Sequence, residues 1–257
     1  MTGGGWAGRI PVRLSAVLIT RNEEANLPAC LASLKGLADE VVILDSESTD
    51  GTVAVARAAG AQVWQHAFEG FGVAKQRALE LASGVWVLSM DADERVTPAL
   101  AADIRRVLES GPGADGYLIR REVFFLGRRL RFGGMGNDWV LRLFRREGAR
   151  FTPVRVHERV EIRGRAVKLR GTLEHHAYGS LAEHVEKMNR YTEIQATMKF
   201  GSGVRYRAWM WLRLPWEVFA RCVLRLGILD GTAGVLFATA SAYSAWLKYA
   251  KTWRPAA

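Results

Sequence analysis

The sequence is poor in cysteine: 257 residues hold only Cys30 and Cys222, far apart and in no CxxC spacing. That excludes a disulfide framework and a cysteine-built zinc site, and makes a reducing cytoplasm the expected compartment. Long apolar runs are also lacking. The glycine-rich start, residues 1–10, and the apolar run 15–20 are too short for a signal-peptide core or a membrane span. Nor is the composition that of a disordered chain, since 49% hydrophobic residues suffice to bury the core of an α/β domain. What the sequence has in excess is positive charge, 36 Lys and Arg against 26 Asp and Glu, a net +10. Such a balance attracts polyanions, whether nucleic acid, an anionic membrane or phosphorylated substrates, and does not choose among them.

Over the first 120 residues strand and helix patterns alternate, which predicts a parallel sheet with crossover helices. Strands are expected over 15–20, 40–44, 61–64 and 85–90, and helices over 24–37, 52–59 and 71–82, the first marked by Leu27, Leu31 and Leu34 at helical spacing. Polar clusters follow the strands directly: Thr20-Arg21-Asn22-Glu23, Asp45-Ser46-Glu47-Ser48 and Asp91-Ala92-Asp93-Glu94. In open α/β sheets ligands bind at those strand ends. From about Gly116 the alternation stops. Short strands are expected over 117–120, 140–144, 160–162, 167–169 and 173–176, then a helix over 181–200 broken by Gly201-Ser202-Gly203.

Beyond that break the composition shifts. Residues 199–257 hold nine Lys or Arg against two acids, Glu217 and Asp230, and so carry +7 of the net charge; they also hold five of the nine tryptophans. Cations interleaved with Trp, Leu and Phe at helical spacing describe helices lying in a lipid interface. Arg207, Arg213, Arg221 and Arg225 are too frequent for a spanning helix, where each would cost about 2.5–3.5 kcal/mol at the bilayer centre. Peripheral attachment to the inner face of the cytoplasmic membrane is the expectation, and plain packing on the rest of the chain the alternative.

Chemistry concentrates at Asp91-Ala92-Asp93. Two carboxylates at i and i+2 after a buried strand can reach one divalent cation, and Mg²⁺ or Mn²⁺ prefers such oxygens while leaving positions for phosphate. The same residues, just before Thr97-Pro98, also suit the cap of a following helix. By itself the pair leaves both readings open.

The runs SAVLITRNEEANL (15–27), VVILDSESTDGT (41–52) and AKQRALELASGVWVLSMDADE (74–94), in that order and spacing, resemble the nucleotide-sugar-binding half of the family 2 glycosyltransferases. The later VHERV (156–160), the paired His175 and His176, and an ending of LDGTAG and WLKYAK look like the subgroup related to lipopolysaccharide core glucosyltransferases. The resemblance implies a GT-A fold, a Rossmann-like α/β domain with a mixed sheet and flanking helices. The catalytic domain would span 1–200, with a nucleotide-sugar half over 1–120 and an acceptor half over 121–200, followed by a basic, Trp-rich helical tail over 201–257. Carried over position by position, it places Thr20, Arg21 and Glu23 around the base and ribose, and Asp45 as an acceptor for the base. Lys75 and Arg77 would face the donor, Asp91 the ribose or metal, and Asp93 the cation that bridges the diphosphate. Arg142 is a further candidate for the diphosphate. Taken singly, these are also ordinary turn residues and surface charges.

Transfer of a sugar to a hydroxyl also needs a base for the acceptor proton. Glu158 stands where the family supplies this carboxylate, with His157 to orient it or the acceptor; a salt bridge from Glu158 to a neighbouring arginine is the alternative. His175 and His176 alternate faces if they lie on a strand, so at most one, taken as His176, would complete the metal shell. Arginines 120, 121, 128, 129, 131, 145, 146 and 150 suit a phosphorylated glycolipid acceptor. The expected activity is thus that of an inverting hexosyltransferase moving glucose from UDP-glucose to a lipopolysaccharide inner-core hydroxyl. A polyprenyl-phosphate sugar synthase is the close alternative, because its phosphate nucleophile needs no base. A non-enzymatic basic module that binds nucleic acid or membrane is a more distant one; acids at the strand ends would repel a phosphate backbone, so no nucleic-acid partner is expected.

Overall fold

The structure, a computed structural model, describes residues 12–110, 113–153 and 159–253. They fall into two compact units, Met1–Arg120 with Trp139–Leu173, and Arg121–Asp138 with Glu174–Ala257.

The first unit opens with β1 (Leu14–Thr20), β2 (Glu40–Asp45), β3 (Gln62–Gln65) and β4 (Trp86–Asp91), joined by α1 (Leu27–Leu34), α2 (Thr52–Ala58) and α3 (Phe71–Leu81). These strands are parallel in the order β3-β2-β1-β4. The expected alternation is therefore what forms. β1 is apolar along nearly its whole length because both faces are covered. Leu14, Ala16 and Leu18 pack with Leu27, Cys30 and Leu34 of α1, whereas Val17 faces the layer of Ala74, Ala78 and Leu79 from α3. Each buried Leu or Val among them contributes about 1.5–3 kcal/mol of transfer free energy, and each Ala less.

The chain continues through β5 (Glu94–Val96), α4 (Pro98–Ser110), β6 (Gly116–Phe125), β7 (Arg128–Arg129), β8 (Asp138–Arg145), β9 (Arg150–Phe151), β10 (Val160–Glu161) and β11 (Ala166–Tyr178). The sheet order beyond β4 is β8-β6-β11-β5, with β8 antiparallel to β4, so the sheet is mixed as expected. Two expectations need correction. The helix expected over 24–37 is shorter, because residues 23–26 form a turn in which the Glu23 carbonyl accepts from the N–H groups of Asn26 and Leu27. The two strands expected over 167–169 and 173–176 are one strand, β11, which passes α4 at Gly171; a side chain there would collide with the backbone of Leu100.

In the second unit α5 (Leu181–Gly201) starts from an N-cap at Ser180, whose Oγ accepts from Glu183 N at 3.1 Å, while Glu183 Oε2 accepts from Gly179 N, just before the cap, at 3.0 Å. There follow a 3-10 turn (Ala208–Leu212), α6 (Arg213–Phe219), a π-helical turn (Ala220–Leu224), a second 3-10 turn (Gly227–Asp230) and α7 (Gly231–Ala250). The core of this unit is small and built on Val123, Phe125 and Leu130, with Phe237 of α7 packed against them. The boundary expected at residue 200 does not separate the compact units. Lys251, after α7, donates to the Asn189 carbonyl at 2.8 Å and pairs with Glu193 at 3.2 Å, which ties α5 to the tail. Among the described residues no single helix is long and apolar enough to cross a membrane; Ala208–Leu224 and Gly227–Ala250 meet that test only together, and are bent by 74°.

Candidate active site

The parallel register sets Thr20 beside Asp45, at the ends of β1 and β2. Thr20 Oγ1 donates to Asp45 Oδ1 at 2.9 Å, Ser48 Oγ donates to the same oxygen at 2.5 Å, and Ser48 N donates to Oδ2 at 2.9 Å. Asp45 is fully buried, and these bonds take three of the about four lone-pair sites of its carboxylate. Asp45 therefore anchors the two loops to each other. The same loops are laced further on: Asn22 N to Ser48 Oγ at 2.9 Å, Thr49 N to Asn22 Oδ1 at 2.8 Å, Glu23 N to Thr52 Oγ1 at 2.8 Å and Gly51 N to Glu24 Oε2 at 2.8 Å. Asn22 and Glu47 adopt left-handed backbone, φ 55° and 57°, to make these turns. Arg21 is exposed on this rim, and Glu23 accepts from its neighbour Asn26 Nδ2 at 2.9 Å.

Asp91 closes β4, and Asp93 sits in the turn before β5. The cap of α4 is Thr97, whose Oγ1 accepts from Leu100 N at 3.2 Å, so capping does not account for the aspartate pair. Lys75 of α3 brings Nζ to 3.0 Å from Asp91 Oδ1, and Arg142 of β8 brings Nη2 to 2.5 Å from Asp91 Oδ2. The same Arg142 nitrogen lies 2.5 Å from Glu94 Oε1, while Glu94 Oε2 accepts from Asp91 N at 2.9 Å. Lys75, Asp93, Glu94 and Arg142 are all buried, Glu94 completely. Burial alone would raise the Asp91 pKa, but Arg142 and then Lys75 outweigh it and hold this carboxyl well below the usual range. Cys30 lies under the cluster with Sγ 3.7 Å from the Asp91 carbonyl. Burial, followed by the charges of Glu94, Asp93 and Asp91, raises its pKa and keeps the thiol protonated, so Cys30 packs rather than reacts.

The structure thus brings together Lys75, Asp91, Asp93 and Arg142. It does not bring Arg77 to them, because residues two apart on a helix point about 200° apart. Arg77 instead meets His66 Nδ1 at 2.6 Å and Glu69 at 3.1 Å. His176 belongs to the second unit, where its ring stacks on Phe124 at 4.6 Å and its Nε2 lies 3.0 Å from Glu174. Glu158 and His157 lie outside the described residues. Sequence reasoning missed Glu94 as a member of the cluster. The signal for it was an acid three residues after Asp91 where the strand re-forms.

Among the described residues, no group of three or more His, Cys, Asp and Glu side chains is placed to hold a metal alone. A cation that binds together with a diphosphate needs only one or two protein carboxylates, and hard oxygens at i and i+2 of one turn fit that need. Residues 15–161 match the family described as Glycosyl transferase family 2, more than half of the chain. The chain belongs to this family. The glycosyltransferase is 32% identical over 249 residues to a lipopolysaccharide core biosynthesis glycosyltransferase, LpsC, of Rhizobium meliloti, covering 94% of this chain and 92% of LpsC. It is 27% identical over 252 residues to an uncharacterised glycosyltransferase of Rickettsia felis, covering 93% and 89%. Among solved structures it overlays a glucosyl-3-phosphoglycerate synthase from Mycobacterium tuberculosis, in complex with Mn²⁺, UDP-glucose and phosphoglyceric acid. That overlay has a TM-score of 0.39 and 25% identity over 53% of this chain and 57% of the synthase. The glycosyltransferase therefore spans little more than half of that solved chain, against nearly all of LpsC.

Proposed function

We propose that this glycosyltransferase acts in lipopolysaccharide core assembly, moving a hexose with inversion from a UDP-sugar, UDP-glucose in the first instance, to a hydroxyl of an anionic glycolipid. The reading rests above all on one observation: two buried cations, Lys75 and Arg142, converge on Asp91 at the end of β4, two residues before Asp93. The similarity to LpsC along nearly the full length supports the acceptor class.

Departure of a nucleoside diphosphate leaves negative charge that must be met where it forms. Lys75 and Arg142 are held there in advance by Asp91 and Glu94, and can lend their charge to phosphate oxygens without crossing water. Asp93, with Asp91, would hold Mg²⁺ or Mn²⁺. Such an ion, when bound, neutralises the diphosphate as a Lewis acid. The laced loops after β1 and β2 form a fixed rim for the nucleoside, and Glu158 would take the acceptor proton. Among the arginines proposed for the acceptor, Arg121 pairs with Asp138 at 2.7 Å and Arg129 with Glu122 at 2.8 Å, while Arg145 lies 5.2 Å from the centre of the Trp86 ring.

The test is release of nucleoside diphosphate from a panel of nucleotide sugars, with Mn²⁺ and a truncated lipopolysaccharide acceptor. Turnover with a UDP-hexose that depends on both acceptor and cation is expected. Turnover with none of the sugars, or equal turnover with a polyprenyl phosphate as acceptor, contradicts the assignment.

A further inference from the structure

The second unit wears part of its apolar surface outward. Trp209, Trp211 and Trp216 are each more than half exposed, at 58%, 56% and 59%, and so are Leu224, Ile228 and Leu229, at 60%, 57% and 62%. Isolated exposed apolar residues are ordinary, but a run of large ones along a single stretch of 21 residues marks an interaction surface.

The end of the same stretch is stapled down by polar groups. The Asp230 carboxylate accepts from Arg131 N at 3.0 Å and Phe132 N at 2.9 Å, and the Arg225 carbonyl accepts from Gly133 N at 2.8 Å. Gly227 allows the close approach, since a Cβ there would sit 3.2 Å from Gly133 Cα. The other acid, Glu217, pairs with Arg221 at 3.5 Å. Glu217 within the stretch and Asp230 just after it are thereby engaged, whereas Arg207 and Arg225 are exposed. The exposed side chains of the stretch are apolar, aromatic and cationic, and these two acids are engaged.

We propose that the face formed by residues 208–229 docks on a lipid bilayer, with Trp209, Trp211 and Trp216 seated among the headgroups and Arg207 and Arg225 against anionic lipid phosphates. Tryptophan favours that depth, and cations beside it select anionic leaflets. A second copy of the chain fits less well, because two such faces would oppose arginine to arginine. The proposal does not depend on the catalytic assignment.

The test is flotation of the full chain with vesicles of phosphatidylcholine alone and of phosphatidylcholine mixed with phosphatidylglycerol. The chain is expected to float with the anionic vesicles, less with the neutral ones, and less again at high salt. A variant with Trp209→Ser, Trp211→Ser and Trp216→Ser should lose flotation yet keep the native circular dichroism spectrum and a cooperative melting transition. A second variant, Arg207→Glu with Arg225→Glu, leaves the apolar face intact; it should lose the preference for anionic vesicles, and keeps the test open if the first does not fold. Docking is overturned if the native chain floats with neither vesicle, or if both variants float as it does. It is overturned equally if sedimentation shows a dimer that the tryptophan variant dissolves while no vesicle is bound.

Discussion

Lys75 and Arg142 share one carboxylate: the ammonium takes Oδ1 of Asp91 at 3.0 Å and the guanidinium takes Oδ2 at 2.5 Å. Asp91→Asn therefore removes the carboxylate charge that faces Lys75 and one of the two that face Arg142, while conserving shape. Removing one partner of a buried ion pair costs about 3–5 kcal/mol, and urea unfolding of this variant should show a loss of that order. A loss below about 1 kcal/mol, the usual worth of a surface pair, would mean that the cluster is wet and weakly coupled.

Glu94 positions Arg142 and touches no substrate in this account. Glu94→Gln keeps the volume and the bond to Asp91 N but removes the charge facing Arg142, a charge-assisted bond worth about 1.5–3 kcal/mol. Weaker UDP binding is expected, with partial recovery in Glu94→Asp. A change in stability with no change in UDP affinity would leave Glu94 a packing residue only.

The pH dependence of stability should have a component from the second unit. His184 is buried, with its ring against Phe125 at 5.3 Å, and burial followed by the charge of Lys187 lowers its pKa against the opposing pull of Glu183. A depressed folded pKa means that the unfolded chain binds the proton first as pH falls. The stability contribution is then complete above the unfolded value of about 6.5 and declines as pH drops below it. Denaturation at pH 7.5 and 5.5 should show this decline, and His184→Phe should flatten it.

Gly171 carries a packing prediction. Its absent Cβ is filled by the start of α4, and Gly171→Ala should lower stability by about 1–3 kcal/mol, seen as a reduced melting temperature. An unchanged melting temperature would mean that α4 is free to move away from β11.

How much of this was legible in the sequence depends on the range of the interaction. β1 and β4 announced themselves as short apolar runs ending in polar clusters, because their burial on both faces is written in consecutive residues. The true extent of α1 was also present in Leu27, Leu31 and Leu34, but Glu24 looked helical while its carboxylate is engaged by the N–H of Gly51, 27 positions away. Lys75 and Arg77 look alike in sequence, and only the direction of α3 against β4 separates them. Arg142 stood out in sequence as a candidate for the diphosphate, yet its bond to Glu94 spans 48 residues and leaves no local signature. The interleaved units were hidden for the same reason, since nothing near Arg121 or Glu174 marks a change of unit.

Replacement of Glu158 by Gln addresses the acceptor. If a hydroxyl attacks, turnover should fall at least about a hundredfold, the lower bound of general-base contributions, with UDP affinity unaltered. Near-normal turnover would point to an acceptor that is already ionised.

The most direct measurement is calorimetric titration of UDP into the native chain and into Asp93→Ala, each with and without Mn²⁺. The account predicts binding to the native chain that Mn²⁺ tightens, and binding to the variant that Mn²⁺ leaves unchanged. Cation-enhanced UDP binding of equal strength in both chains would contradict it, because the diphosphate would then lie somewhere other than the turn after β4.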